Sequence, residues 1–404
     1  MAQAYQARFL DRTTPPHVST LILLAGISAL SMNIFLPSLP GMAAYFEADY
    51  RVLQLSVGVY LGVNAVLQIL IGPISDKVGR RPVVLWGIIL FLMATLGCLY
   101  APSATVFLIF RMAQAAIVTA MVLSRAIVRD VVPADQAASM IGYVTMGMTV
   151  VPMLGPAIGG VLESQFGWHA NFWMLFALGV AILALSWADL GETRHASGLN
   201  LAQQFREYPE LLGSPRFWGY ALASALSSGA FFAYLGGAPF IGTVLYGLDP
   251  AMLGLYFGAP AVGYFFGNFL SGAFSARVGV NRMVEWGCLI NFGGVGTSML
   301  LFQLGFGSAE VFFGFMTFVG IGNGMTIPNA TAGALSVRPH LAGTASGLSG
   351  AIMIGGGAGL SMLAGAVLTT ESGATPLLWI MLVTGALAIS AIRFVILREK
   401  RIGL

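Results

Sequence analysis

What most constrains the fold is the scarcity of charge over long stretches. Apolar runs, each near the ~20 residues a helix needs to cross a bilayer, alternate with short polar breaks along almost the whole 404-residue chain. Charged residues are 9% of the total and hydrophobic ones 57%, where a soluble domain carries about 25% charge to solvate its surface. Lipid must therefore be the solvent for most side chains, and in lipid every backbone polar group needs an internal partner, which helices provide. Runs between breakers predict twelve spanning helices near 18–40, 51–72, 82–101, 104–128, 138–162, 168–189, 217–240, 250–273, 281–303, 309–335, 341–368 and 376–397. The first run is longer than the apolar core of a signal peptide and reads as a retained helix.

A second feature organises these spans. The string GPISDKVGRRPVVLWG from Gly72 returns two hundred residues later as GAFSARVGVNRMVEWG from Gly272, identical at seven of sixteen positions where composition alone gives roughly one. Gly155 and Gly159 likewise match Gly355 and Gly359. Six spans preserve chain direction, so an offset of six implies parallel halves related by an axis along the membrane normal. The expected organisation is a six-helix bundle over 1–190, a linker over 191–216 and a second six-helix bundle over 217–404.

Basic residues set the orientation. Lys77, Arg80, Arg81, Arg129, Arg206, Arg277, Arg282, Arg338 and Arg398 fall on one side, and Glu47, Asp49, Asp249, Glu310 and Glu371 on the other, where Arg51 is the basic exception. Both termini are expected on the cytoplasmic side. A dispersed net charge of +3 argues against nucleic acid as a partner. Cys98 and Cys288 both lie within apolar runs, as packing residues would, and no cofactor or metal is expected. His17, His169, His195 and His340 stand near different span ends without catalytic spacing, and no phosphate-cradling G-x-x-x-x-G-K-[ST] loop occurs, so neither an enzyme nor direct use of ATP is expected.

The chain resembles the major facilitator superfamily over nearly its whole length, and within it the bicyclomycin/chloramphenicol-resistance branch of twelve-helix drug exporters. The matching strings are GPISDKVGRRPVV after the second span, FRMAQ with SRAIVRD in the fourth, VPMLGPAIGG in the fifth, and GNGMTIPNATAGAL with AGTASGLSG in the tenth and eleventh. The resemblance implies an inner-membrane exporter of small amphipathic molecules that exchanges them for protons by alternating access, acting as a monomer. It also implies a latch made by Gly72, Asp76, Gly79, Arg80 and Arg81 with Arg129 as a partner, Gly72 allowing close helix approach and Gly79 a tight turn. In the second copy Ala276 replaces Asp76, so the full latch is expected in the first half only. The resemblance further implies that Pro152, Gly155, Pro156 and Gly159 form an antiporter motif packed on the opposite half.

Arg111 lies inside the fourth span, where a lone charge costs roughly 2.5–3.5 kcal/mol or more. It must face a wet cavity or find acceptors, and Gln114 shares its face. Related exporters read Asp-x-x-Leu-Pro in the first span; here Asn33 holds the acidic position and cannot carry a proton at physiological pH. The remaining acidic residues near the membrane, Glu163, Asp189 and Glu285, fall close to span ends. Tyr60, Asn64 and Gln68 form one stripe at i, i+4 and i+8, open either to substrate or to helix packing. Asn268, Asn323 and the aromatics Tyr234 and Tyr256 complete the candidate substrate set, amides beside rings suiting a mostly apolar ligand. Gly347, Ala351, Gly355 and Gly359 offer the eleventh span a small-residue face.

Overall fold

A computed structural model describes residues 7–131, 154–193, 209–338 and 342–403. Among these residues the chain is helical, with no strand. The helices are α1 (Val18–Asn33), α2 (Leu39–Tyr45), α3 (Tyr50–Val78), α4 (Arg80–Leu99), α5 (Ala104–Ala113), α6 (Val118–Val131), α7 (154–166) and α8 (His169–Asp189). They continue as α9 (Pro215–Phe240), α10 (Pro250–Tyr256), α11 (Gly258–Val278), α12 (Val280–Gln303), α13 (Ala309–Val337), α14 (Ala342–Val367) and α15 (Thr375–Ile402).

Every one of the twelve expected stretches contains helix, and nine of the described helices are long and apolar enough to cross a membrane. The other three stretches differ for local reasons. The fifth is described only from residue 154, the eighth divides at Phe257 into α10 and α11, and the ninth is diluted by glycine and amides, Asn281 and Asn291 among them. Two breaks escaped the sequence reading. The first span turns through a 3-10 segment, Leu36–Ser38, before α2, because Pro37 and Pro40 cannot donate to the preceding turn. The fourth tightens to 3-10 over Gln114–Ile117.

The two-hundred-residue offset recurs in the helix ends. Gly79 and Gly279 stand at equivalent junctions with φ of 111° and 89°, a backbone region that only glycine enters cheaply. Asp49 caps α3 through the Arg51 amide at 2.8 Å, and Asp249 caps α10 through the Met252 amide at 2.9 Å. Packing repeats as well: α3 lies along α14, and α10 meets α7. An axis exchanging two similar halves would convert one of these interfaces into the other.

Three glycine expectations need correcting. A Cβ on Gly72 would meet nothing within 4 Å among the described residues, so no described helix approaches closely there. Gly155 and Gly159 pack on α1, against Leu30 and Ile34 of their own half. The contact with the other half comes one residue later, where Gly160 abuts the Pro250 carbonyl and Gly254 abuts that of Pro156. On α14, Gly347 and Gly359 are likewise open; the tight approaches are Gly357 against Phe232 and Gly365 against Gln54.

Candidate functional site

Arg111 is completely buried among α1, α3 and α5. Its Nη2 donates to the Ser31 carbonyl at 2.9 Å and its Nη1 to Gln114 Oε1 at 2.8 Å, with longer bonds from Nη1 to Ser31 Oγ and from Nε to the Ser56 carbonyl, both 3.4 Å. The guanidinium carbon lies 3.9 Å from the Tyr60 ring centre and 4.4 Å from that of Phe35. Gln114 is fixed in turn, its Nε2 donating to Thr95 Oγ1 at 2.7 Å. The charge is thus held by neutral acceptors and two π faces, and among the described residues no carboxylate bonds it. Of the two ways to accommodate a cation in the bundle, the chain uses acceptors. Ser31, Phe35, Ser56 and Thr95 were not singled out from the sequence; serine and threonine are too common in membrane helices to signal a role.

On the same two helices that clasp Arg111, three buried oxygens have no hydrogen-bond partner among the described residues: Asn33 Oδ1, Ser56 Oγ and Tyr60 OH. Asn33 Nδ2 itself donates back to the Ala29 carbonyl, at 3.3 Å. Buried polar atoms without partners are uncommon and costly, and a ligand or water with polar groups satisfies them. Farther along α3, Gln68 Nε2 donates to Asn64 Oδ1 at 2.7 Å, so those two members of the stripe serve each other while Tyr60 serves Arg111.

The second-half candidates do not gather at Arg111. Tyr234 is fully buried in an aromatic cluster with Phe231, Phe257, Phe312 and Phe313, its hydroxyl unpartnered. Tyr256 stacks on Phe313 and donates to Glu310 at 3.3 Å in the first turn of α13. Asn268 bonds back to the Tyr264 carbonyl of its own helix. Asn323 accepts from Ser227 Oγ at 2.8 Å, tying α13 to α9. Phe265 and Phe266 are exposed on the outer face.

At the junction after α3, Arg80 Nε pairs with Asp130 Oδ2 at 3.0 Å and its Nη1 bonds Ser75 Oγ. Glu192, just beyond α8, accepts from the Arg80 and Arg81 amides at 2.9 and 3.3 Å, capping the start of α4. The second half repeats the device with other residues: Glu399 near the end of α15 accepts from Asn281 Nδ2 and pairs with Arg216. Asp130, Glu192 and Glu399 were not foreseen, because acidic groups near span ends look like ordinary surface charge. The side chains of Asp76 and Arg129, and all of Pro152, lie outside the described residues.

The halves also meet near the end opposite the chain termini. Gln54 of α3 donates to the Gly236 carbonyl of α9 and, at 3.3 Å, to the Ser361 carbonyl of α14. Close by, the Tyr50 and Phe240 rings lie 5.4 Å apart.

The sequence profile of the Major Facilitator Superfamily matches residues 21–359. The chain belongs to that superfamily. It is 31% identical over 374 residues to "Multidrug resistance protein D" of Escherichia coli (strain K12), covering 89% of this chain and 90% of that one. It is 30% identical over 338 residues to "Chloramphenicol resistance protein" of Pseudomonas aeruginosa, covering 81% and 78%. A bacterial homologue of the human lysosomal transporter Spinster, crystallised inward-facing and occupied, shares the fold with a TM-score of 0.72 at 19% identity, over 95% of this chain and 96% of that one. Within the superfamily the chain falls in the bicyclomycin/chloramphenicol-resistance branch, as a multi-pass membrane protein.

Proposed function

We propose that this major facilitator superfamily protein is a proton-coupled exporter of small amphipathic compounds in a bacterial inner membrane, with both termini in the cytoplasm. Twelve spans form two six-helix halves, 1–190 and 217–404, joined by 191–216, and rock about their shared interfaces to expose a central site alternately to each side. The observation that carries the reading is the paired interface: α3 along α14 and α7 against α10 are the two seams along which such halves would hinge. The relatives' names supply the substrate class, small drug-like molecules. The unpartnered Asn33, Ser56 and Tyr60 oxygens beside Arg111, with Gln114, are the first-half groups offered to substrate. The test is efflux: cells expressing the chain should retain less chloramphenicol than cells carrying an empty vector, and collapsing the proton gradient should erase the difference.

One observation favours a second reading, an uncoupled facilitator or a dedicated metabolite exporter. Asn33 replaces the expected acid, and among the described residues the hydrogen-bond partners of Arg111 are all neutral. Export that ignores the proton gradient would select it.

A further inference from the structure

Charge is almost absent from the middle of the expected spans, and what there is has one sign. Each of the 16 Asp and Glu residues lies outside those spans or within five residues of a span end. Of the 19 Lys and Arg residues, Arg111 is the one that lies deeper. The acids nearest the membrane are engaged elsewhere. Asp189 accepts from the Leu10 amide at 2.7 Å and the His17 amide at 2.9 Å, Glu285 pairs with Arg393 at 3.1 Å, and Glu163 meets the Ser38 hydroxyl. Asn33, where related exporters carry an acid, supplies no charge to offset Arg111.

Two of the unserved oxygens belong to residues that touch this cation. Ser56 gives its carbonyl to Arg111 Nε, while its own Oγ has no partner among the described residues. Tyr60 gives its ring face to the guanidinium, while its hydroxyl has no partner among them either. A ligand that satisfies these two hydroxyls therefore lies beside the charge. The guanidinium carries five N–H donors and makes four hydrogen bonds among the described residues, so one donor is left over. The ring faces of Phe35 and Tyr60, which would attract a cationic drug, are already taken by Arg111 itself.

We propose that Arg111 sets the charge selectivity of this transporter, so that it takes uncharged and anionic amphipaths and rejects cationic ones. This selectivity rests on the export reading above and names the charge class of its substrates. A cation at the Ser56 and Tyr60 oxygens would shed its hydration beside a like charge, with no carboxylate to offset either. An acceptor on an uncharged or anionic ligand takes the remaining N–H and the two hydroxyls instead, and an anion gains from the charge as well. The expected preference is on the order of 10- to 100-fold.

The test is equilibrium binding to the full-length protein in lipid nanodiscs, using chloramphenicol and two analogues whose nitro group is replaced by a carboxylate or by a trimethylammonium group. The scaffold is shared, so the series varies mainly in charge. The wild type should bind the neutral and anionic members about ten-fold or more tightly than the cationic one. Equal or tighter binding of the cationic member overturns the inference and leaves the export reading standing. Gln114→Glu then tests the cause. Gln114 Oε1 lies 2.8 Å from Arg111 Nη1, so the isosteric change sets a carboxylate against the guanidinium, and Thr95 turns its hydroxyl to donate. Ser31→Asp does the same from α1, where Ser31 Oγ lies 3.4 Å from Nη1. In whichever variant folds and still binds chloramphenicol, the gap should narrow about ten-fold; an unchanged gap overturns the role of Arg111. Efflux of the same three compounds from cells separates the two claims. Selective binding with no efflux of any member overturns the export reading alone.

Discussion

The guanidinium carbon of Arg111 lies over the ring of Tyr60, 3.9 Å from its centre, in a region where neither is exposed. A desolvated contact of this kind is worth about 2 kcal/mol, and it supplements four hydrogen bonds to neutral acceptors. Arg111→Lys should therefore fail as badly as Arg111→Ala, because an ammonium cannot fork to Ser31 and Gln114 while lying on two rings. We expect both variants to lose transport and to lose on the order of 1–3 kcal/mol for each buried acceptor left unserved. Thermal unfolding in detergent and chloramphenicol efflux check this; a lysine variant with normal efflux would show that charge alone suffices.

Gln54 joins three helices of the two halves through the Gly236 and Ser361 carbonyls. Gln54→Ala should loosen the closed end opposite the termini. A cysteine at position 361 should then react several-fold faster with a membrane-impermeant maleimide in the Gln54→Ala background. Cys98 and Cys288 are both buried, so background labelling is low. Equal rates would mean that the contact does not hold the end shut.

Arg80 and Asp130 form a partly buried pair at 3.0 Å. Arg80→Ala and Asp130→Asn are each expected to impair transport, and the double variant should be no worse than either alone. The coupling expected for residues in contact is about 0.5–3 kcal/mol. Additive losses would show that the two residues act separately.

Gly160 and Gly62 offer a matched test of the seam. A side chain at Gly160 must displace the Pro250 backbone, whereas Gly62 has nothing within 4 Å among the described residues. Gly160→Val should cost about 1–3 kcal/mol of overpacking and abolish transport, while Gly62→Ala should behave as wild type. Efflux by Gly160→Val at the wild-type level would remove the α7–α10 contact from the mechanism.

Much of this fold is readable without coordinates because lipid enforces one backbone solution and one length scale, so apolar runs translate almost directly into helices. The repeat around Gly79 and Gly279 was equally legible, since a positive φ restricts residue choice at both copies. The site was legible only at its most expensive member. Arg111 declares itself by the cost of burying it, whereas Ser31, Ser56, Thr95 and the Leu36–Ser38 break depend on which helices meet. The same limit explains Gly155 and Gly159: small residues announce a close contact but not the partner, which proved to be α1. Glu163 and Asp189 looked alike in the sequence, and only the backbone amides arriving at Asp189 tell them apart.

The most direct test of alternating access is a pair of spin-label distances in lipid, Glu47 with Glu371 at one end and Lys77 with Arg277 at the other. All four positions are exposed. The account predicts two populations at each end, with the short distance at one end accompanying the long distance at the other, and their balance shifting with pH. A single invariant distance at both ends, in a preparation that still exports chloramphenicol, would contradict it.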